Sequence, residues 1–580
     1  MKKKTSFFRL FNYLKPHKFK LIIVIISAII STGFMVLAPY LIGLVTTTLF
    51  ASVTNHTFYW EKIIALLLGL VLLYLVSQSF TVIQGLIMSK VTANVMQKLR
   101  QDIDEKMHRL QLNYYDTHTR GDVLSIITND VDIISNTLSQ NLTSIVTQVT
   151  TAIGVFIMMI SISPSLAIIP VLIVPFSLLA ASGVMKKSEQ YYEQQQNLLG
   201  ELNGYIEEMF NGQDVVQTFN YQNRSIAQFN HLNQELKNVS QKAEITAGSI
   251  NPITTLVSDL GYVLCALIGC FGAIQGKITV GNVQAMLEYS WRFADPFSTL
   301  ASMVGSFGAA NAAAQRIFTL LDANEDTLDC VNQDNPVLTK GAVSFNHVSF
   351  GYTSDNLLMK DISFDVKPGQ KVAIVGPTGA GKTTLINLLM RFYEINSGSI
   401  MVDGIDIQKM SRNQLRSHFA MVLQDTWLFE GTIKDNIAYG NADLTMDEIK
   451  KAAKSACAHN FIKTLPNGYH MMLNRGAENI SQGERQLLTI ARALASDPEI
   501  LILDEATSNV DTHTESLIQK AMKVLMQGRT SFVIAHRLST IKDADLIFYM
   551  EHGDIKEVGN HHQLMELNGK YAALYQSQFN

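Results

Sequence analysis

The chain has 580 residues, 47% of them apolar, and 46 basic and 50 acidic side chains give it a formal charge of −4 at pH 7. This length allows several domains. The charge alone decides nothing about nucleic acid, but the second half has no basic run, so no nucleic-acid partner is expected. The four cysteines are too scattered for a disulfide framework or a zinc site and are interpreted as apolar packing residues.

Apolar segments dominate the first half of the sequence. Leu21–Phe50 runs for about 30 residues without a charged side chain, and Ile63–Met88 for about 26 more. Each exceeds the roughly 20 residues that cross the hydrocarbon core of a membrane. Six membrane spans are therefore predicted. The other four lie at about 138–162, 165–185, 246–275 and 279–305.

Basic residues before the first span predict the orientation of the chain. Lys and Arg recur between positions 2 and 20, whereas the loop at about 51–62 carries only Lys62 beside Glu61. By the positive-inside rule the N-terminus is cytosolic, and six spans return the second half to the same side. Phe7–Tyr13 is interpreted as an amphipathic helix on the inner membrane surface. Short outer loops suit a bacterial plasma membrane.

Two polar helical stretches, Val91–Leu110 and Met185–Ala247, separate the apolar segments. Their length predicts that the spans continue as helices into the cytosol. Turns are expected at about 113–122 and 211–220, where they would contact a cytosolic motor domain.

The second half changes in character after the sixth span. The predicted organisation is a transmembrane domain at 1–322, a polar linker at 323–340 and a second domain at 341–580. Short β-branched runs alternate there with helical patterns, which predicts an α/β domain with a largely parallel sheet. The runs are Val343–Phe350, Lys371–Val375, Ser399–Val402, Ile500–Leu503, Ser531–Ile534 and Leu546–Met550.

A phosphate-binding P-loop follows the second of these runs. It stands between the strand Lys371–Val375 and the helical pattern Leu385–Met390, as its mechanism requires. Its backbone N–H groups can converge on phosphate oxygens, and the helix that follows adds the positive end of its dipole. The candidate ATP-binding residues of the loop are Gly376, Pro377, Thr378, Gly379, Ala380, Gly381, Lys382, Thr383 and Thr384.

Chemistry is assigned to four residues in and after this loop. Lys382 is expected to reach the β- and γ-phosphates, and the Thr383 hydroxyl to help hold Mg²⁺. Asp504 ends an apolar strand and is the candidate for the other side of the metal. Glu505 follows it directly and is the candidate for polarising the attacking water. Together they predict a Mg²⁺-dependent nucleotide hydrolase.

With six preceding spans, the chain resembles a half-transporter of the ABC exporter family, a transmembrane domain fused to an ATP-binding cassette. The resemblance covers nearly the whole chain. It rests on Tyr352, the P-loop, Gln424, the run 479–486, Leu501–Glu505, the run Ser508–Asp511 and His536, in the order and spacing of the family.

The resemblance implies roles for further residues. Tyr352 would stack on the adenine of ATP, for which an aromatic ring is well suited. Gln424 would contact Mg²⁺ and the attacking water, and His536 the γ-phosphate. Ser508 and Asp511 would belong to the D-loop at the dimer interface.

The signature run departs from the family pattern. The family usually has Leu-Ser-Gly-Gly-Gln, which contacts the ATP held by the other subunit, whereas this chain has Ile480, Ser481, Gln482, Gly483 and Glu484. Gln482 leaves less room for close backbone approach, and the Glu484 carboxylate is expected to repel a phosphate.

The chain thus combines an intact P-loop, Glu505 and His536 with an altered signature. This asymmetry resembles the heterodimeric multidrug exporters of bacteria. The chain would supply the catalytic residues of the competent ATP site and pair with a half-transporter that has an intact signature and an altered catalytic glutamate. A homodimer that tolerates the variant signature is the alternative.

The resemblance implies ATP-driven export of hydrophobic or amphipathic small molecules. Asp259, Glu288 and Arg292 are candidates for the substrate cavity, because charges within spans are costly, and the acids would favour cationic amphiphiles. Glu288 and Arg292 are also spaced i,i+4 and could simply neutralise each other; Asp295 continues this helical spacing. Alternatives are a lipid flippase, an exporter of a dedicated metabolite or peptide, ATP-driven uptake and an ATP-gated channel.

Overall fold

The computed structural model of the chain describes residues 6–326, 340–353, 356–424, 426–504, 511–535 and 541–579. The chain forms two compact units. One contains Met1–His108 and His118–Ala323, and the other contains Arg109–Thr117 and Asn324–Asn580. A short segment from the first half of the sequence thus belongs with the second half, which the predicted linear boundary did not anticipate.

Helices account for almost all of residues 6–321. In chain order they are α1 (Ser6–Leu14), α2 (Lys18–Thr54), α3 (Trp60–Met107), α4 (Leu112–Thr117), α5 (Arg120–Ser125), α6 (Val131–Asn136), α7 (Leu142–Ile162), α8 (Pro164–Asn211), α9 (Gln213–Thr218), α10 (Gln222–Gly248), α11 (Ile250–Ile274) and α12 (Val280–Leu321). The 48 residues of α3 measure roughly 72 Å, more than twice the hydrocarbon core of a membrane. The predicted continuation of spans as longer helices is therefore confirmed.

Five helical segments of the described chain are long and apolar enough to cross a membrane: Arg9–Thr54, Trp60–Met107, Arg120–Ile162, Pro164–Asn211 and Gln222–Ile274. The sixth predicted span coincides with α12, whose 42 residues are long enough. Its sequence is less apolar, because it carries three charged side chains within eight residues, Glu288, Arg292 and Asp295.

Small and polar side chains bring α2 against its neighbours. The Ser31 hydroxyl donates to the carbonyl of Ser77 on α3 at 2.9 Å, and the fully buried Tyr289 of α12 donates to the carbonyl of Val36 at 2.6 Å. A Cβ at Gly281 would lie 1.7 Å from the carbonyl oxygen of Gly43. Only glycine permits this approach of α12 to α2, a packing mode common in membranes.

Two π-helical turns, Ile126–Asp130 and Thr137–Asn141, interrupt the helix between Arg120 and Ile162. The first turn carries Asp130, whose side chain is only 2% exposed. Its carboxylate accepts two hydrogen bonds from Arg316 of α12, at 2.8 Å from Nε and 2.5 Å from Nη2. A buried charge requires such a partner.

The N-terminal helix α1 packs on the end of α12. Leu10 and Leu14 are buried, and the Arg9 guanidinium lies 4.2 Å from the centre of the Phe318 ring. Arg9 also pairs with Asp322. The predicted helix at Phe7–Tyr13 is thus confirmed, and one of its faces is covered by protein.

Two sheets organise the second unit. The four-stranded sheet has the order β2-β1-β4-β5 and the six-stranded sheet β12-β11-β3-β10-β9-β6, parallel from β11 to β6; a two-stranded sheet pairs β7 with β8. The strands are β1 (Val343–Phe350), β2 (Met359–Val366), β3 (Lys371–Val375), β4 (Ser397–Val402), β5 (Ile405–Asp406), β6 (Phe419–Val422), β7 (Gly431–Thr432), β8 (Met472–Leu473), β9 (Ile500–Asp504), β10 (Thr530–Ile534), β11 (Leu546–Glu551) and β12 (Asp554–Gly559). The predicted α/β domain with a largely parallel sheet is confirmed.

Core residues cover both faces of the six-stranded sheet. Along β3, Val372 and Ile374 belong to one apolar cluster, while Ala373 and Val375 belong to the other, as the alternation of a strand requires. The helices of this unit after α4 are α13 (Lys382–Leu389), α14 (Arg412–Ser417), α15 (Ile433–Ile437), α16 (Met446–Ser455), α17 (His459–Thr464), α18 (Gln482–Ala495), α19 (Thr512–Met526), α20 (His561–Glu566) and α21 (Lys570–Phe579).

The segment Arg109–Thr117 is joined to the second unit by backbone and side-chain contacts. Leu110 forms an antiparallel bridge with Glu325, and the amide of Asp326 donates to the carbonyl of Arg109 at 2.9 Å. At the other end of the segment, Asp116 accepts a hydrogen bond from the Tyr393 hydroxyl.

Candidate nucleotide site and transmembrane cavity

The P-loop turns on three glycines with positive φ. Gly376, Gly379 and Gly381 have φ of 152°, 80° and 97°, which residues with a Cβ rarely adopt. The first position is also crowded: a Cβ at Gly376 would lie 2.2 Å from the carbonyl oxygen of Met550 on the adjacent strand β11. The backbone here therefore requires glycine, and the loop leads directly into α13.

Lys382 lies over the loop that precedes it. Its Nζ donates to the carbonyls of Gly376 at 2.6 Å and Pro377 at 3.1 Å. Burial lowers the pKa of Lys382, while the Asp504 carboxylate acts in the opposite direction. Thr383, the next residue, is exposed. A cation and a hydroxyl are thus placed at the start of α13, as a phosphate-binding site requires.

The carboxyl ends of the parallel strands meet at one edge of the sheet. Ile534 of β10 pairs with Ile374 of β3 on one side and with Asp504 of β9 on the other. Gln424 follows β6 by two residues and is exposed. Of the predicted site residues, Glu505, Ser508 and His536 lie outside the described residues. Asp511 is the N-cap of α19, where its Oδ1 accepts the Thr514 amide at 3.0 Å.

Tyr352 borders a cleft of about 650 Å³ together with Gly379, Asn356 and His552. Tyr352 is 48% exposed. Its hydroxyl lies 2.9 Å from Thr384 Oγ1 on α13, so the aromatic ring and the P-loop are neighbours. This leaves a ring surface open beside the phosphate loop, which suits a stacked base.

The signature run begins helix α18. Ser481 is its N-cap, and Glu484 completes a capping box with it. The Glu484 Oε2 accepts hydrogen bonds from the Ser481 amide and from the Ser481 hydroxyl, both at 2.8 Å. Gln482 is exposed and Gly483 is buried. The Glu484 carboxylate therefore accepts the hydrogen bond that the Ser481 hydroxyl can donate.

The residues at the P-loop fit a nucleotide with its magnesium ion. Within the described ranges, no group of three or more His, Cys, Asp or Glu side chains is arranged to hold a metal ion by itself. Magnesium bound to a nucleotide needs only one or two protein ligands, because phosphate oxygens and water supply the rest. Thr383 and Asp504 supply a hydroxyl and a carboxylate of the kind Mg²⁺ prefers.

A second cavity, of about 580 Å³, lies in the first unit. Its walls are rich in Ser, Thr, Asn and Gln from α2, α3, α7, α8 and α11, and α12 contributes Glu288, Arg292 and Asp295. Arg292 donates to Glu288 at 3.1 Å from Nε and 2.9 Å from Nη2, so these two charges pair. Asp295 is exposed. Asp259 is exposed on α11 and is not among the lining residues.

An apolar chamber of about 210 Å³ adjoins this cavity, because both share Ser177, Asn251 and Ser298 in their walls. Val174, Met185 and Phe297 are among its other lining residues. The combined space is polar and charged at one end and apolar at the other.

Family models match both units of the chain. Residues 21–295 match "ABC transporter transmembrane region", and residues 359–508 match "ABC transporter".

Similar proteins extend over most of the sequence. The "Fatty acid ABC transporter ATP-binding/permease protein" of Mycobacterium bovis is 44% identical over 511 residues, 88% of this chain and 80% of that protein. The "Probable multidrug resistance ABC transporter ATP-binding/permease protein YheH" of Bacillus subtilis is 36% identical over 497 residues, 84% of this chain and 73% of that protein. A solved structure, "Structure of a bacterial Atm1-family ABC exporter with ATP bound", has a TM-score of 0.75 at 27% identity, covering 97% of this chain and 98% of that one.

Sequence reasoning missed Tyr393, which contacts both Tyr352 and the segment Arg109–Thr117. It lies in a loop after α13 and belongs to none of the recognised motifs. Its contact with Asp116 spans 277 residues of sequence, and no local pattern signals such a pairing.

Proposed function

The chain belongs to the ABC transporter family and has the half-transporter architecture of its exporters, and on that premise we propose that it exports hydrophobic or amphipathic small molecules across a bacterial plasma membrane. Its cassette binds ATP, and it is an ATPase coupled to transport. The observation that carries the substrate proposal is the cavity in the first unit, which is polar and charged at one end and apolar at the other.

The P-loop edge supplies the groups for hydrolysis. Lys382 binds the β- and γ-phosphates, and Thr383, Asp504 and Gln424 hold Mg²⁺. Mg²⁺, when bound, withdraws charge from the phosphate oxygens. The exposed Thr383 hydroxyl and the position of Asp504 at the end of β9 support this assignment.

Glu505 and His536 complete the site as proposed. Glu505 follows Asp504 and orients the attacking water, and His536 follows β10 and donates to the γ-phosphate. Tyr352 stacks on the adenine. The support for these roles is that the strands before Glu505 and His536 are adjacent and in register, Ile534 with Asp504.

The cavity favours an amphipathic substrate with a positive charge. The ionisable residues that line the cavity are Glu288, Arg292 and Asp295. Because Arg292 neutralises Glu288, the net charge of the three is the negative charge of Asp295, which would attract a cation. The adjoining apolar chamber would take a hydrocarbon group. A second candidate is an anionic amphiphile, because one relative is named as a fatty acid transporter and a fatty acid is an anionic amphiphile.

We infer that the chain functions as a dimer, with a different half-transporter as the favoured partner. The signature capping box supports an attenuated second ATP site, since Glu484 already occupies the Ser481 hydroxyl. The turn around α9 supports a protein partner, because Phe210 and Phe219 expose 80% and 75% of their surface. The N- and C-termini would lie in the cytosol.

The deciding experiment is Mg²⁺-dependent ATPase activity of the purified chain in lipid, alone and with the half-transporter encoded beside it. Glu505→Gln tests the catalytic residue. Glu499→Gln is the control, because Glu499 precedes β9 at the opposite end of that strand and pairs with His418 at 2.8 Å. Activity of the chain alone, lost in Glu505→Gln, would indicate a homodimer. Activity only with the partner, lost in the same variant, would establish the heterodimer; no activity in either sample would refute the proposal.

Transport in inverted vesicles tests the substrate. We expect Asp295→Asn to slow uptake of a cationic dye by about tenfold, the effect of one charge interaction of roughly 1.4 kcal/mol, and to leave a neutral dye within about twofold. Asp259→Asn is the control outside the cavity. Equal effects of Asp295→Asn on both dyes would remove the charge preference, and faster transport of a fatty acid would favour the anionic candidate.

A further inference from the structure

We propose that Tyr393 is a positioning residue. It couples stacking of the ATP base on Tyr352 to the strength with which the cassette binds the segment Arg109–Thr117. This rests on the proposed binding of adenine at Tyr352. It adds a connection between the base and a segment that lies between two membrane-spanning helices in the sequence.

Four side chains form a continuous line within the second unit. Asp116 of α4 accepts a hydrogen bond from the Tyr393 hydroxyl. The Tyr393 ring meets the Tyr352 ring edge to face, with centroids 5.2 Å apart and planes at 88°. The Tyr352 hydroxyl lies 2.9 Å from Thr384 Oγ1 on α13. The line therefore begins at the P-loop helix and ends at the segment Arg109–Thr117.

The backbone that carries Tyr393 is fixed on both sides. Arg391 is buried and donates to the carbonyls of Ile407 at 3.1 Å and Met410 at 3.0 Å. Glu394 accepts from Arg391 at 2.9 Å and from the buried Arg412 at 2.7 Å. Because its neighbours are held, Tyr393 responds to a change at Tyr352 through its ring and hydroxyl.

A stacked base would restrict the Tyr352 ring. Tyr352 is 48% exposed, and its ring meets the rings of Phe350 and Tyr393 edge to face, with centroids 5.0 and 5.2 Å apart. A base on the open part of the ring would leave only the orientation that packs against Tyr393. Burial raises the pKa of Tyr393, and the hydrogen bond to Asp116 acts in the same direction, so the hydroxyl stays protonated and can donate.

This coupling is reciprocal: if a bound base strengthens the contact of the cassette with the segment, that contact strengthens binding of the base by the same factor. A nucleotide that fixes Tyr352 strengthens the Tyr393–Asp116 contact, and separation of Asp116 loosens Tyr352. A hydrogen bond to a charged acceptor is strong enough to change the opening of a short segment about tenfold.

The test is hydrogen exchange of the full chain in lipid, with and without a non-hydrolysable ATP analogue. In the unaltered protein we expect the analogue to slow exchange of the amides of residues 109–117 by about tenfold. Tyr393→Phe keeps the ring and removes the hydroxyl, so a saturating concentration of the analogue should slow this exchange by less than about twofold, and by linkage the affinity for the analogue should fall by up to about tenfold. Asp116→Asn keeps an acceptor and should retain part of the effect.

Tyr469→Phe is the matched control. Tyr469 is a buried cassette tyrosine whose hydroxyl pairs with His459 at 2.7 Å, so this variant should behave as the unaltered protein. Full analogue-dependent slowing in Tyr393→Phe, or none in the unaltered protein when the analogue is bound, would refute the link. Failure of the analogue to bind the unaltered protein at all would instead refute the proposed nucleotide site, and the link with it.

Discussion

The Arg9 guanidinium holds the Asp322 carboxylate with two hydrogen bonds, 2.5 Å from Nη1 to Oδ2 and 2.9 Å from Nη2 to Oδ1, across 313 residues of sequence. Asp322 directly follows the last long helix α12, and Arg9 lies in the first helix α1. This ion pair joins the first helix of the unit to the end of its last helix. The Arg9 guanidinium also makes a cation–π contact with the Phe318 ring.

This pair predicts an acid-dependent release of α1. The Arg9 hydrogen bond lowers the pKa of Asp322 below its ordinary value of 3.8. A carboxylate with a lowered pKa stabilises the folded state above its unfolded pKa and loses that contribution as the pH falls through the folded value. Exchange of the α1 amides, corrected for intrinsic rates, should therefore be constant from pH 7 to 5 and rise below the ordinary pKa. Asp322→Asn should remove this rise; the same acid response in Asp322→Asn would exclude the ion pair as its cause.

The pair of Asp130 and Arg316 should matter more to stability than a pair that is exposed on both sides, because the Asp130 carboxylate is 2% exposed although the Arg316 side chain is 56% exposed. Arg316→Ala removes two hydrogen bonds from this carboxylate, so we expect the free energy of unfolding to fall by about 2 kcal/mol. Arg100→Ala is the control, because Arg100 pairs at 2.9 Å with Asp132, which is 65% exposed, and should cost less than about 1 kcal/mol. Denaturant unfolding in detergent measures both, and equal losses would contradict the prediction.

Replacing Glu484 by Gln should increase ATPase activity of the assembled transporter. The amide keeps the shape of the capping box, but removes a negative charge near the expected phosphate and loosens the hold on the Ser481 hydroxyl. An interaction of about 1 kcal/mol corresponds to roughly a fivefold gain.

Glu448→Gln is the control for this change. Glu448 makes the same capping box with Thr445, accepting its amide at 2.8 Å and its hydroxyl at 2.7 Å. Its replacement should leave ATPase activity within about 1.5-fold. Unchanged or lower activity in Glu484→Gln would show that the carboxylate does not limit the site.

Gly376→Ala should weaken nucleotide binding strongly. The added Cβ would lie 2.2 Å from a backbone carbonyl of β11, which has no freedom to move within the sheet. We expect a loss of ATP affinity of more than about tenfold together with a lower melting temperature. Gly369→Ala is the control that tests backbone strain without this clash. Gly369 also has a positive φ, 76°, but none of the described residues has an atom within 4 Å of the added Cβ. That variant should lose only about 1 kcal/mol of stability and bind ATP normally.

Most of the architecture followed from local patterns. Uncharged runs predicted the long helices, and all six predicted β-runs are strands, because both depend on the burial of neighbouring residues. The ABC exporter resemblance and the coupled ATPase are confirmed by the comparisons. Strand β2 was missed, because two exposed charged residues in succession, Lys360 and Asp361, interrupt the alternation of apolar and polar side chains in Met359–Val366.

The remaining features depend on contacts between distant parts of the chain. The spacing of Glu288 and Arg292 predicted their ion pair, but helical periodicity alone could not distinguish Asp295, which lines the cavity, from Asp259, which does not. The partner of Tyr393 likewise follows only from the tertiary structure. The roles of Glu505, His536 and Gln424 remain predictions.

The place of Arg109–Thr117 in the second unit constrains when that unit can be completed during synthesis. This segment leaves the ribosome on the order of 200 residues before Asn324–Asp326, with which it pairs, and domains generally fold as they emerge. The second unit therefore reaches its final form only after the intervening helices have been made. A cassette produced alone from Lys340 onward would keep both of its apolar clusters, but it would lack the partner of its Tyr393 hydroxyl.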